Sequence, residues 1–127
     1  MKADLVIVGA GPAGLFSAIQ AAKNNCNKKI IILEKNSSAG KKLLISGSGQ
    51  CNLTHAENIS QFFDHYGENY NFLMGPLYSF DNQQLMQFFK NRGISFRKAR
   101  GGKIFPESNQ ASDILDALLK EAEKRGI

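Results

Sequence analysis

The distribution of apolar positions along the chain opens with two short, unbroken runs. Leu5-Val6-Ile7-Val8 is apolar at every position, the pattern of a strand buried on both faces inside a parallel sheet. Ile30-Ile31-Ile32-Leu33 repeats it. Between them, Leu15 to Lys23 is Ala-rich and helical in spacing, and Asn24 to Asn27 close it. Pro12 suits the first turn of that helix, where its missing N–H has no intrahelical partner to lose. Strand, turn, helix and strand in this order predict a right-handed parallel crossover.

Downstream the pattern changes. Residues 36–52 read as a Gly- and Ser-rich loop holding a short apolar patch at Leu43-Leu44-Ile45. Asn58 is placed to cap a short helix through Phe62-Phe63. Phe72, Leu73, Leu77 and Phe80 are expected to be apolar anchors. Asp81 and Gln84 form a capping box for a helix carrying Leu85, Met86, Phe88 and Phe89, which Gly93 ends. Ile94–Lys98 and Lys103–Phe105 predict a two-stranded hairpin around Arg100-Gly101-Gly102. A last helix is expected from Ser108 or Asn109, with Ile114, Leu115, Leu118, Leu119 and Ala122 at helical spacing. Gly126 closes it, and Ile127 could begin another strand. The expected fold is therefore α/β, a Rossmann-like βαβ unit with an incomplete parallel sheet plus a helical and β-hairpin segment. The expected division is a βαβ core over 3–35, a cofactor loop over 36–55 and the helical/hairpin segment over 56–127. A dinucleotide fold needs at least a third parallel strand, so the sequence is expected to be the N-terminal part of a larger protein.

The turn between the first strand and helix carries the candidate chemistry. Gly9, Gly11 and Gly14 fit G-x-G-x-x-G. The motif alone is weak. Its place after a buried strand, at the opening of a helix and inside a βαβ unit of about 30 residues, makes it a dinucleotide-binding signature. Gly9 permits the tight turn, Gly11 lets the backbone approach a pyrophosphate, and Gly14 lets helix and strand pack closely. The helix that starts at Pro12 and Ala13 offers a diphosphate the unpaired N–H groups of its first turn, to which Pro12 itself adds none. Glu34 ends the second strand, where a carboxylate accepts hydrogen bonds from the adenosine ribose and disfavours a 2′-phosphate. FAD and NAD are both compatible with this turn.

A longer stretch separates them. Gly40-Lys41-Lys42-Leu43-Leu44-Ile45-Ser46-Gly47-Ser48-Gly49-Gln50-Cys51-Asn52-Leu53-Thr54 resembles the G-[RK]-K-x-L-x-S-G-G-G-R-C-N-x-T-N signature of the BaiN-like family of NAD(P)/FAD-dependent oxidoreductases. That family belongs to the two-dinucleotide-binding-domain flavoproteins. Gly102-Lys103-Ile104-Phe105-Pro106 and Ala111-Ser112-Asp113 match two further family segments, so the resemblance runs from about residue 3 to the end. It implies an FAD-binding portion of a flavin-dependent oxidoreductase, with NAD(P)H as a candidate electron donor. By position, Glu34 would bind the adenosine ribose, and Lys35 beside it is counted among the cofactor-binding residues. Lys41, Lys42, Ser46 and Gly47 would lie along the phosphates and ribityl chain, and Cys51 and Asn52 would approach the flavin. Gln50, Ser48 and His55 depart from the family's Arg, Gly and Asn. The lost Arg removes a fixed charge and a five-donor fork. Read from the residues alone, the Ser46–Asn52 segment is either an anion-binding nest or a surface loop, and Cys51 is a small buried hydrophobe more readily than a redox group. Two readings stand beside the flavin one: an NAD-binding module, and a non-catalytic truncated chain without a complete cofactor site, inactive by itself and prone to self-association through its sheet edge.

Composition narrows this little further. At 127 residues, 43% hydrophobic and 21% charged, the chain has the make-up of one globular domain. No apolar run approaches the ~20 residues of a membrane span, and the four-residue apolar start is too short for a signal peptide. The expected compartment is the cytoplasm, where Cys26 and Cys51 stay reduced. The formal charge of +5 comes from scattered basic residues, in small groups at Lys28-Lys29, Lys41-Lys42 and Arg97-Lys98 with Arg100, so no nucleic-acid partner is expected. There is no Walker-type loop, no metal-ligand spacing around His55 or His65, and no nucleophile elbow or Ser/His/Asp set. No catalytic residue can be named.

Overall fold

The computed structural model describes residues 2–24 and 27–127. The expected helix closure at Asn25-Cys26, and the reduced state expected for Cys26, lie outside the described residues. Five strands and six α-helices are described: β1 (Leu5–Val8), α1 (Pro12–Asn24), β2 (Ile30–Leu33), α2 (Lys41–Ile45), β3 (Thr54–His55), α3 (Ile59–Phe62), α4 (Tyr70–Ser79), α5 (Asn82–Lys90), β4 (Phe96–Lys98), β5 (Lys103–Pro106) and α6 (Ala111–Lys124). They form two compact units, Met1–Cys51 with Gln110–Ile127, and Asn52–Asn109. This differs from the three-part division read from the sequence, because α6 returns to the βαβ unit instead of staying with residues 56–109.

In the first unit, β1 and β2 pair in parallel, Leu5 opposite Ile30 through Val8 opposite Leu33. The α1 helix between them buries Leu15, Ala18, Ile19 and Ala22. Its small residues let it lie close, and Ala18, Ala22 and Ile30 form a buried cluster with Ile7, Ala21, Ile32 and Ile127 packed against it. The α6 helix packs against α1 and buries Ile114, Leu115, Leu118 and Ala122, four of the five positions expected from its periodicity. Each fully buried aliphatic side chain of this kind contributes roughly 1.5–3 kcal/mol. Glu121 is buried on the same helix, and Arg125 Nε donates to its Oε1 at 2.7 Å.

Two expectations fail here. Both faces of β1 were expected to be buried, yet Leu5, Val6 and Val8 are exposed, Val8 to 84%, and Leu33 to 52%. Apolar composition marks a strand able to be buried, and the described two-stranded sheet supplies too few neighbours to cover it. The loop expected over 36–52 contains α2. Gly40, at φ +68°, turns the chain into this helix, and Leu43 is its buried residue where α2 packs on α6. Five residues are too few for a readable helical period.

The second unit centres on an antiparallel sheet of order β3-β5-β4. The predicted hairpin is present, with Phe96 opposite Pro106 and Lys98 opposite Ile104. Its third strand, β3, was not anticipated, because two residues carry no alternation. The capping box at α5 forms as expected: Asp81 Oδ1 accepts from Gln84 N–H and Gln84 Oε1 from Asp81 N–H, both at 2.8 Å. Met86 and Phe89 are buried beneath it. Asn82 is buried too, and its Nδ2 donates to the His55 and Glu57 carbonyls at 2.7 and 3.0 Å. That one amide ties α5 to the chain leaving β3. The expected anchors of α4 are not core: the helix has no buried residue, and Phe72 is 84% exposed. The start of α6 also moves. Asn109 takes a left-handed φ of +56°, and its side chain is bonded by Arg97, so it does not cap the helix, which starts at Ala111.

Candidate functional site

The Gly-rich turn is built as its spacing requires. Gly9 N–H donates to Leu33 O at 2.7 Å, fastening the end of β1 to the end of β2. Its φ of +98° is one that a side chain rarely permits. A Cβ on Gly14 would overlap the Gly9 carbonyl oxygen, backbone against backbone, so the close approach of α1 to the end of β1 requires glycine there. Gly11 is different. A Cβ at this position meets nothing within 4 Å, so no packing within the chain requires its glycine. Pro12 and Ala13, the first residues of α1, are exposed. Leu15 N–H donates to Gly11 O at 2.9 Å and starts the helix ladder. The opening turn of a helix leaves the N–H groups before it without intrahelical partners.

Glu34 stands at the same mouth. Its Oε2 accepts from Ala10 N–H at 2.8 Å, and its Oε1 accepts from Asn36 N–H at 2.8 Å and Asn36 Nδ2 at 2.6 Å. The Asn36 and Ala10 backbone donors together hold the carboxyl below its ordinary value, so Glu34 is a fixed anion beside the turn. Oε1 already accepts two bonds and Oε2 one, so of the about four lone-pair sites of an ionised carboxylate the one left open is on Oε2. Neither Asn36 nor the Ala10 N–H had been singled out in the sequence. An Asn two residues after the acid is the signal that could have found the first.

Gly40 N–H donates to Ala10 O at 2.9 Å, which links the segment leading into α2 to the turn. A Cβ on Gly40 would press on the Leu115 side chain, so this glycine serves packing on α6 and was missed for the same reason as α2. Lys41 and Lys42 are the first two residues of α2, and both are exposed, as is Lys35 beside Glu34. After α2 the chain turns tightly. Ser46 Oγ donates to Leu43 O at 2.7 Å, Gln50 N–H to Gly47 O at 3.1 Å, and Cys51 N–H to Ser46 O at 3.0 Å. Gly47, Ser48, Gly49 and Cys51 all have φ between +55° and +84°. For Ser48 and Cys51 this conformation costs on the order of 1 kcal/mol each. Cys51 is a free thiol, buried, and burial pushes its pKa up while a hydrogen bond with Ser46 opposes the shift. A thiol so placed is mostly protonated and poorly nucleophilic. Asn52 is exposed and begins the second unit.

The structure thus joins Gly9, Gly11, Pro12, Ala13, Gly14 and Glu34 in one site and attaches Lys41 and Lys42 through Gly40. Ser46, Gly47 and Cys51 form a separate strained turn of the same unit. Among the described residues no group of three or more His, Cys, Asp or Glu could hold a metal ion, and no helix is long and apolar enough to cross a membrane.

Comparison with known proteins agrees with this architecture. The family model described as HI0933-like protein Rossmann domain matches residues 3–127. The chain is 35% identical over 121 residues to a 3-dehydro-bile acid delta(4,6)-reductase of Clostridium scindens, covering 95% of this chain and 29% of that protein. It is 32% identical over 122 residues to a ribosomal RNA dihydrouridine synthase of Haemophilus influenzae, again 95% of this chain and 29% of the relative. Among solved structures, Thermovibrio ammonificans THI4 superposes with a TM-score of 0.56 at 19% identity, covering 98% of this chain and 36% of that one, and it supports the fold. The chain spans about three tenths of the length of these curated relatives. The glycine turn, the 40–54 segment and the family match together place this chain in the HI0933-like family of BaiN-like flavoprotein oxidoreductases, as part of its Rossmann domain.

Proposed function

We propose that this chain binds the ADP half of FAD at the Gly9–Gly14 turn and Glu34, and that it is the cofactor-gripping part of a flavin-dependent oxidoreductase. The observation that carries the reading is the contrast between Gly11 and Gly14. Gly14 is required by packing inside the chain, whereas Gly11 faces open space at the mouth of a helix N-terminus. A glycine with no internal reason at that position fits a site where a pyrophosphate comes close to the backbone. Glu34, fixed as an anion by Ala10 and Asn36, suits the ribose hydroxyls as acceptor and repels a 2′-phosphate.

Bound flavin would supply hydride or electron transfer, and the protein would supply binding, orientation and electrostatics. Within this chain the N–H groups at the start of α1 would meet the diphosphate. Lys41 and Lys42, with Ser46 and Gly47, would lie along the remainder of the cofactor, and Asn52 with the buried Cys51 nearer its flavin end. Cys51 is assigned a packing role there, because its raised pKa argues against a thiolate. NAD(P)H is the proposed electron donor.

The test is an absorbance scan over the flavin bands, before and after adding FAD and desalting. Retained flavin in the wild-type chain, lost in Gly11→Leu, is the expected result. Flavin retained equally by both proteins would place the cofactor elsewhere. NAD retained in place of FAD would favour a nicotinamide module.

A further inference from the structure

The acidic residues of this chain are unevenly placed. Residues 43–89 hold four of its eleven Asp and Glu (Glu57, Asp64, Glu68 and Asp81) and none of its sixteen Lys and Arg. A chain of formal charge +5 thus contains one long stretch whose only charged residues are acids. Within that stretch lies an open pocket of about 290 Å³, lined by His55, Glu57, Phe62, His65 and Tyr66. All five belong to the second unit, apart from the glycine turn and Glu34. His55 stands where the family pattern carries Asn, so the signature does not account for this pocket.

The fold fixes the polar side of the pocket. Asn82 Nδ2 donates to the carbonyls of both His55 and Glu57, so one buried amide holds the backbone of the two. The His55 ring lies against the β4–β5 turn, where Nε2 donates to Gly101 O and a Cβ on Gly102 would strike the ring. Its Nδ1 accepts from Glu57 N–H at 3.3 Å. One ring nitrogen donates and the other accepts, which is the neutral imidazole. His65 Nε2 donates to Glu57 Oε1 at 3.0 Å, and His55 Nδ1 lies 3.4 Å from the same oxygen. The carboxylate is thus oriented through Oε1, while Oε2 accepts no hydrogen bond among the described residues. Among those residues no buried side-chain polar atom lacks a partner, so Oε2 is open to solvent. Lys103, opposite His55 in the sheet, does not line the pocket and forms no ion pair among the described residues.

We propose that this pocket binds a small alkylammonium ion, whose N–H groups donate to Glu57 Oε2 and whose charge and alkyl part lie against Phe62 and Tyr66. Three observations converge on this class of ligand. The one charge in the pocket is negative and has an oxygen to spare. Aromatic rings attract a cation as well as an apolar body. The acidic stretch around the pocket favours a cation and repels an anion. The volume lies at the small end of ligand pockets, which suits a free amine of a few carbons. The site stands independently of the flavin reading.

The experiment is an amide chemical-shift titration of the 15N-labelled chain with n-butylammonium chloride at constant ionic strength, in mildly alkaline buffer where an ordinary histidine is neutral. Saturating shifts centred on Glu57, Phe62, His65 and Tyr66 are expected, with a dissociation constant on the order of 1 mM for so small a probe. The neutral isostere n-butanol should bind at least about tenfold more weakly, and so should the amine to Glu57→Gln, which keeps the side chain's shape and removes its charge. Tyr66→Leu should weaken the amine about threefold, whereas Glu68→Gln, outside the pocket, should bind as the parent does. The dispersion of each variant's spectrum separates lost contacts from lost fold, and the exposed Tyr66 keeps the test open if Glu57→Gln does not fold. No saturating shifts in the parent overturn the proposal, as does equal affinity for n-butanol. Parent-like binding by a folded Glu57→Gln or by Tyr66→Leu overturns it too. Tighter binding of Nα-acetyl-lysine amide than of n-butylammonium would assign the pocket to a peptide's lysine and overturn the free-amine assignment.

Discussion

The turns at Gly9–Gly14 and Ser46–Cys51 are both glycine-rich and belong to the same unit, yet they use glycine in opposite ways. In the first, the backbone needs glycine at Gly9, for its positive φ, and at Gly14, where a Cβ would strike the Gly9 carbonyl, while Gly11 faces open space. In the second, the left-handed run continues through Ser48 and Cys51, residues that adopt such φ values only at a cost. One turn is relaxed and open. The other is strained and closes on its own carbonyls through Gln50 and Cys51. A relaxed, open turn is already shaped for a ligand, whereas strain persists only where the surrounding structure over-determines it.

The largest effect should come from Gly14→Leu. Its side chain meets backbone that cannot retreat without separating α1 from β1, so the first unit should lose about 3 kcal/mol or more. Chemical denaturation reads this directly, and wild-type stability would break the contrast between Gly14 and Gly11. Next comes Asn82→Ala in the second unit, which leaves the His55 and Glu57 carbonyls without their shared donor. A cost of about 2 kcal/mol is expected in thermal unfolding.

Glu34→Gln sharpens the picture through pH. The carboxyl is held below its ordinary value in the folded chain, so its contribution to stability is fully present above the unfolded-state value. That contribution is lost as pH falls through the folded one. The stability gap between wild type and Glu34→Gln should therefore be constant near neutrality and shrink as the solution is made acidic. A gap that grew in acid would mean that the Ala10 and Asn36 hydrogen bonds do not hold the anion. The smallest effect is a gain. Ser48→Gly removes left-handed strain at some entropic cost, for a net stabilisation of about 0.5 kcal/mol, and it restores the residue that the family pattern carries there.

The first turn was legible in the sequence because three independent signals coincide: an apolar strand, the glycine spacing and an acid at the end of the next strand. The α6 helix was legible in its buried stripe because α1 packs against that face. Its start was misread, because Asn109 looks like a cap until the fold gives its side chain to Arg97. Burial of β1 was misread because the pattern reports what a strand can bury and not which neighbours cover it. Phe72 shows the same limit on a helix. The α2 helix and β3 were too short for a period to form. Gly40 and Asn36 matter through partners distant in sequence or through a local side-chain bond, so spacing alone did not reveal them.

The most direct test of the central claim is a calorimetric titration of the wild-type chain and of Gly11→Leu with ADP, the half of the cofactor assigned to this turn. The account predicts binding by the wild type and at least about tenfold weaker binding by Gly11→Leu, with the two proteins equally folded by circular dichroism. Equal affinity in both, or no ADP binding by the folded wild-type chain, would contradict it.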